Sequence, residues 1–423
     1  MRKFLAFIIL LSLFGSAVSS AQGGVTVNEV TVLSLSTGAS ARIFPAPNAQ
    51  LVAYDSSIRL NSHVDRYLTI STAAPGDEPA YFEKPEDLPR GFEADAASFF
   101  IPFAWSPDSG RLAVTSQPLV TLTDTDLWVF DIAAETWVNL ADDGYSGGIA
   151  AADAPPPGTI VDVQPTWSPD GTAIAVERTV IGADGLFGPP NYALVNAETG
   201  AARELAAVPG TASTGATTSM AWSADGATLA VTLRHLNADA EADGVWLFDA
   251  ATGTARQLLT LAQVGDALHT VMADLELTSV GPAVWSPDSS QLLLWAGRAT
   301  GTPIQVWPFV VDAATGAIAS APIPAHPRDS AAARGLRPLQ AAWSPDSSSL
   351  LVFTFGLHPD EDTTSLDPQE SSVRGAVRVL DLAGGGSQLL GYLPLGKTPL
   401  YYAAWAADGQ AIINGYHLAL EQP

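Results

Sequence analysis

Short apolar runs recur along the chain, each bounded by Gly, Pro, Ser or Asp. The clearest are Leu112-Ala113-Val114, Ile174-Ala175-Val176, Leu229-Ala230-Val231, Leu292-Leu293-Leu294 and Leu350-Leu351-Val352. Runs this short, closed by turn residues, predict β-strands rather than helices. A second set includes Leu127-Trp128-Val129-Phe130-Asp131, Tyr192-Ala193-Leu194-Val195, Val245-Trp246-Leu247-Phe248-Asp249, Val310-Val311-Asp312 and Val377-Arg378-Val379-Leu380-Asp381. In most of these a Gly-containing turn follows (Thr199-Gly200, Thr252-Gly253, Thr315-Gly316, Gly384-Gly385-Gly386), which predicts hairpins.

One motif precedes the first set of strands. It reads Phe-Ala-Trp-Ser-Pro-Asp-Ser at 103–109, Pro-Thr-Trp-Ser-Pro-Asp-Gly at 165–171 and Met-Ala-Trp-Ser-Ala-Asp-Gly at 220–226. Its anchors are Trp105, Trp167, Trp222, Trp285, Trp343 and Trp405, with a decayed copy in which Phe44 takes the Trp place. Successive anchors lie 61, 62, 55, 63, 58 and 62 residues apart. Ser-Pro-Asp-Gly suits a type I turn, with Pro presetting φ near −65° at the second position. The aspartates Asp108, Asp170, Asp225, Asp288, Asp346 and Asp408 are therefore read as turn residues, not as a catalytic ring. The Trp before each turn ends a short strand and is expected to pack between neighbouring sheets.

Each unit thus predicts four antiparallel strands, the make-up of a propeller blade. The Trp-Ser-Pro-Asp-Gly turn, followed by two strands and a Gly-rich turn, resembles the TolB-like, WD-repeat-like β-propeller family. The resemblance covers essentially all of residues 25–423 and implies one all-β domain. Seven blades are expected, or six if the Phe44 unit does not form a full sheet. Residues 25–35 read as an orphan strand that completes the C-terminal blade and closes the ring, because Trp405 leaves only 18 residues after it. Two features depart from the family: no separate N-terminal domain fits, and the units exceed the usual blade length. The extra residues fall in 85–98, 142–158, 263–279, 321–339 and 358–372, expected as long loops on one face.

Charge narrows the partners. The chain carries −25, so a nucleic acid or an anionic membrane is an unfavourable partner. Arg2 and Lys3, the apolar run Phe4–Phe14 and the small residues after it form a secretory signal over 1–21. Eleven apolar residues are too few to cross a bilayer, so no membrane span is expected. The chain has no Cys, which excludes disulfides, thiolate catalysis and Cys-ligated zinc. A monomer in the periplasm or outside the cell is expected.

Candidate chemistry is sparse. Gly144-Tyr145-Ser146-Gly147-Gly148 matches the hydrolase G-x-S-x-G pattern, but no strand-to-helix elbow or hydrolase domain follows it. The six histidines lack metal-ligand spacing, and Asp360, Glu361 and Asp362 form an acidic loop without EF-hand spacing, a weak cation candidate. No cofactor and no catalytic residue are expected. The expected function is a non-catalytic extracytoplasmic scaffold that holds a protein or peptide through the long loops. The alternatives are a propeller enzyme acting on a glycan or peptide at the channel mouth, and a Ca²⁺ or small-ligand sensor.

Overall fold

Each repeat turns where its residues dictate. In Ser106-Pro107-Asp108-Ser109 the N–H of Ser109 donates to Ser106 O at 2.9 Å. The same bond joins Gly171 to Ser168, Gly226 to Ser223, Ser289 to Ser286 and Ser347 to Ser344. Ser106 Oγ donates to Asp108 Oδ1 at 2.5 Å, and that oxygen also accepts Gly110 N–H at 3.0 Å. Ser106 Oγ in turn accepts Arg111 N–H at 2.8 Å, so one Ser–Asp pair satisfies both sides of the loop. The pair repeats at 168/170, 223/225, 286/288 and 344/346.

The fourth turn position is left-handed throughout, with φ 69° at Gly171 and 70° at Gly226. Ser occupies it at 109, 289 and 347 (φ 61°, 61° and 60°). Gly is therefore favoured there but not obligatory. A Cβ added at Gly171 would meet Pro107 Cδ at an ordinary 3.7 Å, so only the backbone opposes it. Gly171→Ala is expected to lower the urea-unfolding free energy by about 1–2 kcal/mol.

The computed structural model describes residues 27–37, 43–45, 51–60, 63–72, 80–83, 103–115, 126–145, 156–208, 215–235, 241–273, 275–298, 305–322, 341–356, 374–393, 399–405 and 411–420. It is mostly β, with antiparallel sheets that follow the repeat. After β1 (Val27–Thr37), sheet one runs β2 (Ile43–Pro45), β3 (Leu51–Leu60), β4 (His63–Thr72), β5 (Ala80–Glu83). Sheet two is β6 (Phe103–Trp105), β7 (Arg111–Thr115), β8 (Leu127–Asp131), β9 (Thr136–Asn139). Sheet three is β10 (Ile160–Trp167), β11 (Ala173–Val180), β12 (Asn191–Asn196), β13 (Ala202–Glu204). Sheet four is β14 (Gly215–Trp222), β15 (Thr228–His235), β16 (Gly244–Asp249), β17 (Ala255–Thr260). The Phe44 copy thus does belong to a four-stranded sheet.

Helix α1 (Leu261–Val271) comes next, inside a stretch expected to be a loop. Its apolar spacing buries Val264 and Leu268, a helical period that the repeat reading passed over. Sheet five has its first position split between β18 (Ser279–Val280) and β19 (Val284–Trp285), both paired with β20 (Gln291–Arg298), then β21 (Gln305–Asp312) and β22 (Ile318–Ser320). The split falls at Gly281-Pro282, where Pro offers no N–H to the ladder. Sheet six is β23 (Ala341–Trp343), β24 (Ser349–Gly356), β25 (Arg374–Asp381), β26 (Gly386–Leu393). An end sheet places β27 (Pro399–Trp405) beside β28 (Ala411–Leu420) and β28 beside β1. The N-terminal and C-terminal strands therefore pair. The chain divides into two compact units, one holding sheets one to four and the other α1, sheets five and six and most of the end sheet.

Within each unit, cores form between consecutive sheets. Leu112 and Val114 pack with Ile70 and Trp105, whereas Ala113 joins the next core, with Trp167, Ile174 and Val176. Ala175 likewise leaves its neighbours and packs with Leu229, Val231 and Trp222. The side-chain period of two thus sends the flanking residues of Leu-Ala-Val to one side and the middle Ala to the other. Ala at that place leaves room for the Trp of the following sheet. With both faces covered, the strand reads as an apolar run instead of alternating.

The indoles also link sheets. Trp167 Nε1 donates to Ala104 O at 2.9 Å, Trp222 Nε1 to Thr166 O at 3.2 Å. In the second unit Trp343 Nε1 donates to Val284 O and Trp405 Nε1 to Ala342 O, both at 3.0 Å. Each acceptor is the residue just before the preceding Trp, so every latch spans one repeat.

Candidate functional site

The turn ends of sheets three and four meet around a cleft of about 600 Å³. Both kinds of turn reach it. Ser168, Pro169 and Asp170 come from one Trp-anchored turn, Trp222, Asp225 and Gly226 from the next. The second hairpins of the two sheets add Asn196, Arg203 and Ala250, so the two turn classes share one end of these sheets. The volume suits a small ligand or a few linked residues of a polymer.

Its polar groups are held by short-range bonds. Asn196 Oδ1 accepts the N–H groups of Glu198 and Thr199 and the Thr199 hydroxyl, which orients the amide. Arg203 Nη2 donates to Ala250 O, joining the two sheets at the cleft. Asp170 is held below the usual carboxylate range, first by the Ser168 hydroxyl and then by Thr172 N–H. Its Oδ2 takes a hydrogen bond from Thr172 Oγ1 at 2.9 Å. An ionised carboxylate accepts about four hydrogen bonds in all, so acceptor capacity remains.

Asp108, Asp288 and Asp346 are lowered by the same pair of causes, a Ser hydroxyl and then a backbone N–H. A folded value below the unfolded one gives stability that is full above the unfolded value and lost as pH falls through the folded one. The stability gap between the native protein and Asp170→Asn is therefore expected to hold from pH 7 to about pH 5 and to narrow below about pH 4. Urea midpoints measured across that range check this, and a gap constant to pH 2.5 would refute it.

A second polar cluster lies inside sheet three. Arg178 Nε and Nη2 donate to the two carboxylate oxygens of Asp162, both at 2.7 Å. The side chains are 8% and 0% exposed. Burial pushes the Asp162 carboxyl up and the guanidinium works against that rise. Glu204, 3.8 Å from Arg178 Nη1, is also raised, chiefly by burial. The pair holds β10 to β11 at directly paired positions and is read here as structural.

Trp105, Trp167, Trp285 and Trp343 are buried at the strand ends expected for them, with Trp222 and Trp405 half-buried. Asp108, Asp170, Asp225, Asp288 and Asp346 are exposed turn residues, and only Asp170 and Asp225 line the cleft. The side chain of Phe44, the signal segment 1–21, Ser146, Asp408 and the loop with Asp360, Glu361 and Asp362 lie outside the described residues. So do most of the long connections expected to form a binding face. Sequence reasoning missed the cleft because its walls are two turns that each look complete alone. It also missed the ion pair, although Asp162 and Arg178 interrupt apolar strands and were a legible signal.

No family model matches the chain, and no curated protein matches it. Among solved structures, the Niastella koreensis GH74 enzyme has 11% identity and a TM-score of 0.48, with 84% of this chain and 46% of that one covered. A structure from work on two prolyl endopeptidases has 13% identity and a TM-score of 0.47, with 89% and 49% covered. The β-propeller domain of the Trilobed protease from Pyrococcus furiosus has 10% identity and a TM-score of 0.42, with 88% and 94% covered. The chain spans about half the length of the first two. Enzymes among these similar structures correct the expectation of a non-catalytic chain. That expectation rested on the absence of a familiar residue constellation, which a propeller site assembled from separate turns does not require.

Proposed function

We propose that this chain is an extracytoplasmic β-propeller enzyme that acts on a glycan or a peptide, with the glycan favoured. In this reading the sheets are seven blades of a TolB-like ring closed by β1, and residues 1–21 are an export signal. The cleft between sheets three and four carries the reading. Trp222 and Pro169 give it apolar surface, Asn196 and Arg203 give donors, and Asp170 and Asp225 give carboxylates. Aromatic surface beside planar polar groups suits a sugar ring with its many hydroxyls. Asp170, held ionised, suits the base or the cation-stabilising carboxylate of glycoside cleavage, and Asp225 supplies a second carboxyl at the same cleft.

The test is turnover. The purified mature protein is incubated with a panel of polysaccharides and peptides, and released products are separated by mass. Product from a glycan, lost in Asp170→Asn, supports the reading. Turnover of no glycan and no peptide, with the folded protein verified, overturns it.

A further inference from the structure

The end sheet is one strand short. In sheets one to six the third strand (β4, β8, β12, β16, β21 or β25) pairs on its far side with a fourth. In the end sheet β27 carries the Trp405 motif and so takes the first position, β28 takes the second, and β1 the third. Among the described residues β1 pairs on one side alone, toward β28. Its outer edge stands where every other sheet has a fourth strand.

That edge differs from the others. The fourth strands β9, β13 and β22 have 4, 3 and 3 residues, short enough to blunt an outer rim. β1 has 11 residues, and its sequence, Val-Asn-Glu-Val-Thr-Val-Leu-Ser-Leu-Ser-Thr, contains no Lys, Arg or Pro. Edge strands ordinarily carry such residues as a guard against pairing with another chain. A long unguarded edge offers a ladder of backbone donors and acceptors, the basis of recognition by strand addition.

Charge selects the occupant. The chain carries −25, and Glu29 is the one charged residue of β1. A second copy would bring the same charge to the same edge and be repelled, whereas a basic segment is drawn in. We propose that the outer edge of β1 binds an extended basic segment of another protein, which completes the end sheet as its fourth strand. This does not depend on the cleft or on any turnover there.

The experiment uses the mature chain and a synthetic nine-residue peptide alternating Lys with Val and Thr. Hydrogen–deuterium exchange follows the β1 amides, and fluorescence anisotropy follows affinity. The expected result is slower exchange in β1 on adding the peptide, with a Glu-for-Lys counterpart binding roughly tenfold more weakly or less. A version N-methylated at alternate residues should not bind, because it cannot join a ladder. Equal binding of the N-methylated peptide would overturn the proposal, since adsorption by charge alone would explain it. Unchanged β1 exchange, or β1 amides already protected in the peptide-free monomer or through self-association, would also overturn it.

Discussion

Trp167→Ala is expected to lower the free energy of unfolding by about 3–5 kcal/mol. The indole is 6% exposed and fills the space beside Ala113, Leu127, Ile174 and Val176, so truncation opens a cavity between sheets two and three. It also leaves Ala104 O without its 2.9 Å bond. The guanidinium of Arg111, 4.7 Å from the ring centroid, loses its aromatic face but keeps its 3.1 Å bond to Gly171 O. Trp167→Phe separates these effects, because it keeps most of the packing and removes the hydrogen bond. It should cost less than half as much. Urea unfolding of both variants checks the order, and equal losses would mean that the latch, not the packing, dominates.

Arg178→Met is expected to be as damaging, at about 3–5 kcal/mol. Met fills similar volume, but it leaves Asp162 buried with no cation against either oxygen. That carboxyl must then stay charged in an apolar interior or take up a proton, and both cost stability. The double replacement Asp162→Leu with Arg178→Met should recover most of the loss, since two apolar side chains leave no uncompensated charge. Denaturant midpoints of the single and double variants form the test. A double variant no better than Arg178→Met would show that the pair does more than cancel its own burial.

Both effects show where sequence was readable. Ser-Pro-Asp runs give their turn away because every bond they make, such as Ser106 Oγ to Asp108, falls within five residues. Strand set and order follow from the same local signals, repeated at near-constant spacing. Trp residues were legible as anchors, yet their latches were not, since Ala104 lies 63 residues from Trp167 and offers only a backbone carbonyl. Carbonyls leave no mark in a sequence. Helix α1 was hidden by the opposite fault, because a strong repeat invites every intervening stretch to be read as loop.

The candidate site was less legible than the fold. Asp170 and Asp225 were seen as turn residues, and so they are, but nothing local says that two turns of neighbouring sheets border one cleft. Arg203 and Asn196 enter from the second hairpins, some 30 residues from the motif aspartates on either side. A cleft between repeats is a property of their packing. The single-repeat reading therefore found its parts and missed their sum, and with it the basis for expecting chemistry.

The most direct test of the account is ligand affinity at this cleft. Calorimetric titration of an oligosaccharide from the turnover panel should give a saturable site in the native protein. In Arg203→Ala, whose side chain is exposed and whose loss should leave the fold intact, the affinity should fall by about tenfold or more. Unchanged affinity in that variant would place the ligand elsewhere and contradict the account.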